Sequence, residues 1–350
     1  MEFGLFVEFP CWEGSTPAQV FQESMELIDT AEETGSEGVW LAEYHFDPNR
    51  SLLSAPITVA GAVAARTKRV KIGLAVHVLP LRNPVRVAEE IATLDHLSGG
   101  RLDFGVGRSA FPSVYHGYGM SYAESRERFD ECLEVILRSW TGEKLNYQGR
   151  YYQYEDVSVV PKPFQQPHPP VRIGATSAET FTLVGAMGYP IFINPSRVTS
   201  LLDLAPYIQE YRQARKEAGY TALVDVGLRV PVYVAETAEK AYEEPRYSTM
   251  YQVQRLINVI TASASAEGIS GNDDRLAQAE RIKSMSYEDV LANTVVYGTA
   301  EAVSERLHEL QEELGLTQII YEVNFGCHVP LEQQKKAVRL LNERVAPQFN

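Results

Sequence analysis

Cysteine is scarce: the 350 residues hold three, Cys11, Cys132 and Cys327. An odd, widely spaced set offers neither a disulfide framework nor a CxxC pair, and it fits a reducing cytoplasm. Positive charge is also in deficit, with 32 Lys and Arg against 46 Asp and Glu and a formal net charge of −14. An acidic surface repels a phosphate backbone and an anionic leaflet alike, so neither nucleic acid nor membrane is expected as a partner. No apolar run approaches the roughly 20 residues a membrane helix needs. Met1 to Pro10 lacks the basic-then-apolar order of a signal peptide, so a soluble cytoplasmic protein is expected. Metal ligation is disfavoured, because no H-x-H follows the first strand and H-E-x-x-H is missing. Neither a G-x-S-x-G nucleophile elbow nor a P-loop occurs, and there is no internal repeat or low-complexity tract.

What the chain does have is apolar material, 45% of its residues, arranged in a rhythm. Phe3 to Val7 predicts a first strand. Thr16 as N-cap, Pro17 at the first helical position and Gln19 reaching back then predict a helix burying Val20, Leu27, Ile28 and Ala31. Val39–Ala42, Val70–Leu79, Leu102–Val106 and Val171–Gly174 read as strands two to five; Pro190–Ile193, Val226–Val234 and Ile319–Val323 complete eight. Helices are expected over 56–66, after Asn83-Pro84, over 121–140 and after Pro330. Val303, Leu307, Leu310 and Leu314 mark one face of another. The pattern predicts an α/β protein, one (β/α)8 TIM-barrel domain spanning 1–350. The Tyr- and Pro-rich stretch 146–170 is expected as an excursion between strands four and five, since the rhythm resumes directly after it. Residues 262–290, rich in Ser, Asp, Gly and Asn, read as an insertion between strands seven and eight, either plain surface or a mobile lid.

In a barrel of this kind the active site forms where loops leave the carboxyl ends of the strands. The fifth exit, Gly174-Ala175-Thr176-Ser177-Ala178-Glu179-Thr180, passes from strand to helix and presents free N–H groups with hydroxyls, an arrangement that binds a phosphate dianion. Arg108, on the neighbouring exit, adds a bidentate cation. The plainer alternative is that Thr176 or Ser177 only caps a helix. Gly105-Val106-Gly107-Arg108-Ser109-Ala110 fits a dinucleotide pattern, but Phe111-Pro112 would interrupt the helix that pattern needs, so the Rossmann reading is rejected. His45, just past strand two with Glu43 before it, is a candidate proton-transfer residue. His77 stands open between wall and site, and His168, between prolines, reads as loop.

Several stretches carry a resemblance: Leu41-Ala42-Glu43-Tyr44-His45-Phe46, Val78-Leu79-Pro80, Asn83-Pro84-Val85-Arg86-Val87-Ala88-Glu89, Leu94-Asp95-His96-Leu97-Ser98-Gly99-Gly100-Arg101, Phe104-Gly105-Val106-Gly107-Arg108 and Ala175-Thr176-Ser177. In this order the sequence resembles the bacterial luciferase family of flavin monooxygenases, and its α subunit in particular, over essentially the full length. The resemblance implies FMN as cofactor, reduced and used as co-substrate, with its phosphate on Arg108, Ser177 and Thr180 and with Ala175 and Thr176 on the same turn. It implies a non-proline cis peptide at Ala75–Val76 beneath the flavin. It also implies O2 as co-substrate, a separate flavin reductase, and a homodimer or luciferase-like heterodimer. Three positions depart from the luciferase pattern. Thr176 replaces a glutamate, Tyr44 a histidine active in catalysis, and Gly107 a reactive cysteine, and at Gly107 extra room against the ring is expected.

The function so implied is two-component oxygenation of a small organic substrate through a flavin C4a-hydroperoxide, with His45, and Tyr44 beside it, exchanging protons. A long-chain aldehyde is the family's best-known substrate. Two alternatives stay open: a deazaflavin-dependent oxidoreductase on the same barrel, and a non-catalytic partner subunit of the luciferase β kind.

Overall fold

Short buried runs of β-branched and aromatic residues form eight parallel strands: β1 (Glu2–Val7), β2 (Gly38–Leu41), β3 (Lys71–Leu74), β4 (Leu102–Gly107), β5 (Val171–Ala175), β6 (Ile191–Ile193), β7 (Val226–Val234) and β8 (Gln318–Glu322). Each pairs with the next, and β8 pairs with β1 in a register that sets Phe3 opposite Ile319, so the sheet closes into a barrel. The computed structural model describes residues 1–264 and 272–349. Among them no helix is long and apolar enough to cross a membrane.

The helices follow the local signals. Helix α1 (Pro17–Thr34) opens with the expected capping box, the Gln19 N–H donating to Thr16 Oγ1 and the Thr16 N–H to Gln19 Oε1. Helix α2 is Pro56–Arg66, and α3 (Pro84–Ser98) is capped by Asn83, whose Oδ1 accepts from the Arg86 N–H at 3.1 Å. Pro112 does not interrupt a helix but opens a short one, Pro112–Gly117, before α4 (Ser125–Thr141). Helix α5 (Ala178–Met187) follows β5.

The third strand is not the continuous run Val70–Leu79. It breaks after Leu74 at a cis Ala75–Val76 peptide, and His77–Val78 then pairs anew with Val106 and Gly107 of β4. At this break the chain comes so close to β4 that a Cβ on Gly105 would run into the Leu74 carbonyl oxygen. Only glycine tolerates that approach.

Between β4 and β5 the excursion contains an antiparallel hairpin, Leu145–Gln148 with Gln153–Val157, which its polar composition did not announce. The insertion between β7 and β8 is longer than 262–290. It comprises α6 (Arg246–Ala264), α7 (Asn272–Lys283) and a short helix, Tyr287–Asn293, and residues 265–271 of the expected insertion lie outside the described residues. Helices α6 and α7 pack through a small core of their own, Ile260 with Ala279 and Ile282.

The stretch Leu94–Arg101 is architectural. Asp95 is fully buried, and its carboxylate accepts from both the backbone N–H and the Nε2 of Gln165, each at 2.8 Å, which ties the excursion to α3. Arg101 donates to the Ala64 and Val70 carbonyls at 2.9 Å, closing the end of α2 against β3. Asp95→Ala leaves the half-buried Gln165 N–H without its acceptor, while Gln165 Nε2 keeps the Leu102 carbonyl at 2.9 Å. Denaturant unfolding should therefore show a loss of about 1–3 kcal/mol; a change below ~0.5 kcal/mol would contradict this role.

Candidate active site

A cavity of about 660 Å³ opens where the strands end. That volume falls within the range of about 300–1,000 Å³ typical of small-molecule sites. Every residue the sequence singled out for the site lines it: Tyr44 and His45 after β2, Ala75 and Val76 at the break in β3, Gly107 and Arg108 at the end of β4, and the turn carrying Ala175, Thr176, Ser177 and Thr180 after β5. Side chains of the insertion, Val253, Leu256 and Ile260 of α6 and Ile282 of α7, cover it from outside. Gln278 Nε2 donates to the Ser196 carbonyl at 3.0 Å and pins that cover to the loop after β6.

At one end sits the β5–α5 turn. Ser177 occupies the N-cap position, yet its side chain makes no capping bond; its Oγ lies 2.9 Å from Thr180 Oγ1. The N–H groups of Ala178 and Glu179 consequently have no partner among the described residues. Arg108 reaches only a marginal contact, Nη1 to Ser125 Oγ at 3.4 Å, while its carbonyl accepts from the buried Tyr115 hydroxyl. A guanidinium, two hydroxyls and uncapped helix N–H groups are the donor set a phosphate monoester needs. The residues present therefore fit the terminal phosphate of FMN. Val76 and Ile173 add apolar wall. Gly107 does not leave extra room: a Cβ there would lie 2.5 Å from Val76 Cγ2, so the neighbouring valine already fills that space.

Beneath the β2 and β3 exits lies Glu43, its side chain fully enclosed. Its carboxylate accepts from His45 Nε2 at 2.8 Å, His77 Nδ1 at 2.6 Å and Arg82 Nη2 at 3.1 Å. Burial alone would raise its pKa. The charge of His77, the two imidazole hydrogen bonds and Arg82 outweigh burial and hold the carboxyl far below the usual range. An ionised carboxylate only accepts, so the facing nitrogens of both imidazoles carry protons. In the neutral imidazole His45 Nδ1 is then the accepting nitrogen, and it lies 3.1 Å from the Tyr118 hydroxyl. His77 is wall rather than lining: it is buried, stands behind the cavity and supports Glu43. Tyr44 belongs to a different network. Its hydroxyl donates to Glu8 Oε1 at 3.0 Å, and burial holds the phenol well above its ordinary pKa. His168 lies away from the cavity, its ring tilted against Trp140 with centroids 5.7 Å apart.

That second network went unread in the sequence. Glu8, after β1, accepts from Tyr44, Arg50 and Arg229, and Arg229 Nη2 also donates to Glu322 Oε2 at 2.6 Å. Burial, opposed by Arg229 and reinforced by Glu8, raises the Glu322 carboxyl to about 6. A visible signal existed: Arg229 interrupts the apolar run Val226–Val234 at a position that must be buried.

Known proteins share this fold. The oxygenase component of the flavin-dependent trigonelline monooxygenase of Acinetobacter baylyi is 24% identical over 100% of this chain and 96% of its own. The crystal structure of monooxygenase RslO1 from Streptomyces bottropensis superposes with a TM-score of 0.82 at 25% identity, covering 100% of each chain. The oxygenating constituent of 3,6-diketocamphane monooxygenase from Pseudomonas putida, solved in complex with FMN, shares the fold with a TM-score of 0.82 at 21% identity over 99% of each chain. The family described as luciferase-like monooxygenase matches residues 1–318, and this chain belongs to that family.

Proposed function

We propose that this chain is the oxygenase component of a two-component flavin monooxygenase, which takes reduced FMN from a separate reductase and, with O2, oxygenates a small organic substrate. One observation carries the reading: a phosphate-type donor set and a carboxylate-oriented histidine face one cavity at the carboxyl end of the barrel. Membership of a family that includes flavin-dependent oxygenase components supports it. Bound reduced FMN would supply the two electrons that activate O2.

The chain's own residues do the rest. Arg108, Ser177, Thr180 and the N–H groups opening α5 would hold the phosphate, and Ala75–Val76 would offer the ring system an apolar shelf. His45 takes a proton at Nδ1 while Glu43 steadies the cation formed, and Tyr118 passes that proton on or back. Tyr44, committed to Glu8, shapes the wall. The α6–α7 pair acts as a cover that keeps water from the reacting atoms.

Removing the guanidinium should weaken FMN binding. Charge-assisted hydrogen bonds contribute about 1.5–3 kcal/mol, so Arg108→Ala is expected to lower FMN affinity roughly 10- to 100-fold in a fluorescence titration. Unchanged affinity would remove the phosphate site. Titrating the wild-type chain in parallel with a reduced deazaflavin separates the two cofactor readings, and tighter binding of the deazaflavin would displace the oxygenase assignment. His45→Gln is expected to slow O2-dependent turnover about 10²-fold or more while FMN affinity stays within about twofold. An equal loss of FMN affinity would make His45 a cofactor-holding residue instead.

A further inference from the structure

One wall of the cavity carries charge that the reaction proposed above does not use. In the closed strand order β4 and β5, which bear Arg108 and the Ser177 turn, stand four places round from β8 and β1. The opposite wall is therefore built from β7, β8 and the segment after β2. There Arg50, Arg229 and Glu322, each more than nine-tenths buried, line the same cavity beside apolar Phe6, Pro231 and Phe325.

Their hydrogen bonds are incomplete in a specific way. Arg229 spends Nη2 on Glu322 at 2.6 Å and on Glu8 at 3.1 Å, and Arg50 gives its own Nη2 to Glu8. Nη1 of both arginines has no partner among the described residues, and Nε of both is buried without one. Glu322 uses Oε2 alone and leaves Oε1 without a partner. The wall thus retains guanidinium donors and one carboxylate acceptor. Two positive and two negative side chains also cancel, counting Glu8 with Glu322 against Arg50 with Arg229.

The group that completes such a wall must accept from a guanidinium, donate to a carboxylate and bring no net charge. A hydroxyl does all three. A carbonyl leaves Glu322 unsatisfied, an ammonium accepts nothing, and a carboxylate adds an uncompensated charge to a wall already balanced. We propose that Arg50, Arg229 and Glu322 form a hydroxyl-recognition subsite, and that the compound bound there is an uncharged alcohol or phenol on an apolar body. That this compound is also the oxygenation substrate rests on the function proposed above; its binding does not.

The test compares para-butylphenol, butylbenzene and para-butylbenzoate by calorimetry. It uses the full chain with and without oxidised FMN, at a neutral pH above the value of about 6 to which burial lifts Glu322. The phenol is expected to bind about tenfold or more tighter than butylbenzene, and tighter than the benzoate. Arg229→Lys keeps the charge facing Glu8 and Glu322 but removes Nη1, and it should reduce the preference over butylbenzene to about twofold or less. Arg50→Lys alters the same wall from a different segment and should act in the same direction, so one folded variant suffices, as checked by circular dichroism. Equal binding of phenol and butylbenzene, tighter binding of the benzoate, or a preference surviving in a folded variant would each overturn the subsite. FMN affinity measured in the same samples keeps the two readings apart: phenol preference without FMN binding overturns the oxygenase assignment alone, and FMN binding without phenol preference overturns this subsite alone.

Discussion

The carboxylate of Glu43 gathers donors from three separate segments inside the barrel wall. His45 comes from the exit of β2, His77 and the Val78 N–H from the second half of the broken third strand, and Arg82 from the turn that follows. An ionised acceptor in a low-dielectric interior holds such donors strongly, and its removal would leave each without a partner. Because the chain leaves β3 at Leu74 and re-enters the sheet at His77, this anchor governs where the Ala75–Val76 shelf lies relative to His45. The floor of the cavity and the orientation of His45 are therefore held by the same side chain.

The cavity is electrically polarised across its width. The β4–β5 side presents Arg108 and uncapped helix N–H groups, which suit an anion. The β7–β8 side presents a balanced set of two arginines and two glutamates, which suits a neutral hydrogen-bonding group. Balanced buried charge is weak as a source of stability, since desolvation offsets most of the Coulomb attraction. Its presence on a cavity wall is better accounted for by recognition than by folding.

Motif residues divide along the same line. The residues of Leu94–Arg101 sit below the mouth and serve architecture: Asp95 holds Gln165, and Arg101 closes the end of α2. The residues at the strand exits, by contrast, converge on the cavity. The distinction follows from the barrel itself, where side chains at the carboxyl ends face ligands and those toward the other end face packing.

Much of this was legible beforehand, because it is written in short-range order. Short apolar runs, the Thr16–Gln19 capping box and the Asn83-Pro84 start each encode themselves within a few residues, and the exits holding His45, Arg108 and Ser177 follow once eight strands are counted. The hairpin at 145–157 was hidden because its strands are polar and largely exposed, so no apolar alternation marks them. The extra room expected at Gly107 is not there because Val76, in the break of the neighbouring third strand, fills it. The sequence alone determined the rhythm of elements, their caps and the order in which strand exits appear. Tertiary structure alone decided that Glu43 would take His77 as well as His45, and that Glu8 would gather Tyr44, Arg50 and Arg229. Those partners meet through strand register and barrel closure, and side chains brought together across a closed sheet leave no periodic trace along the chain.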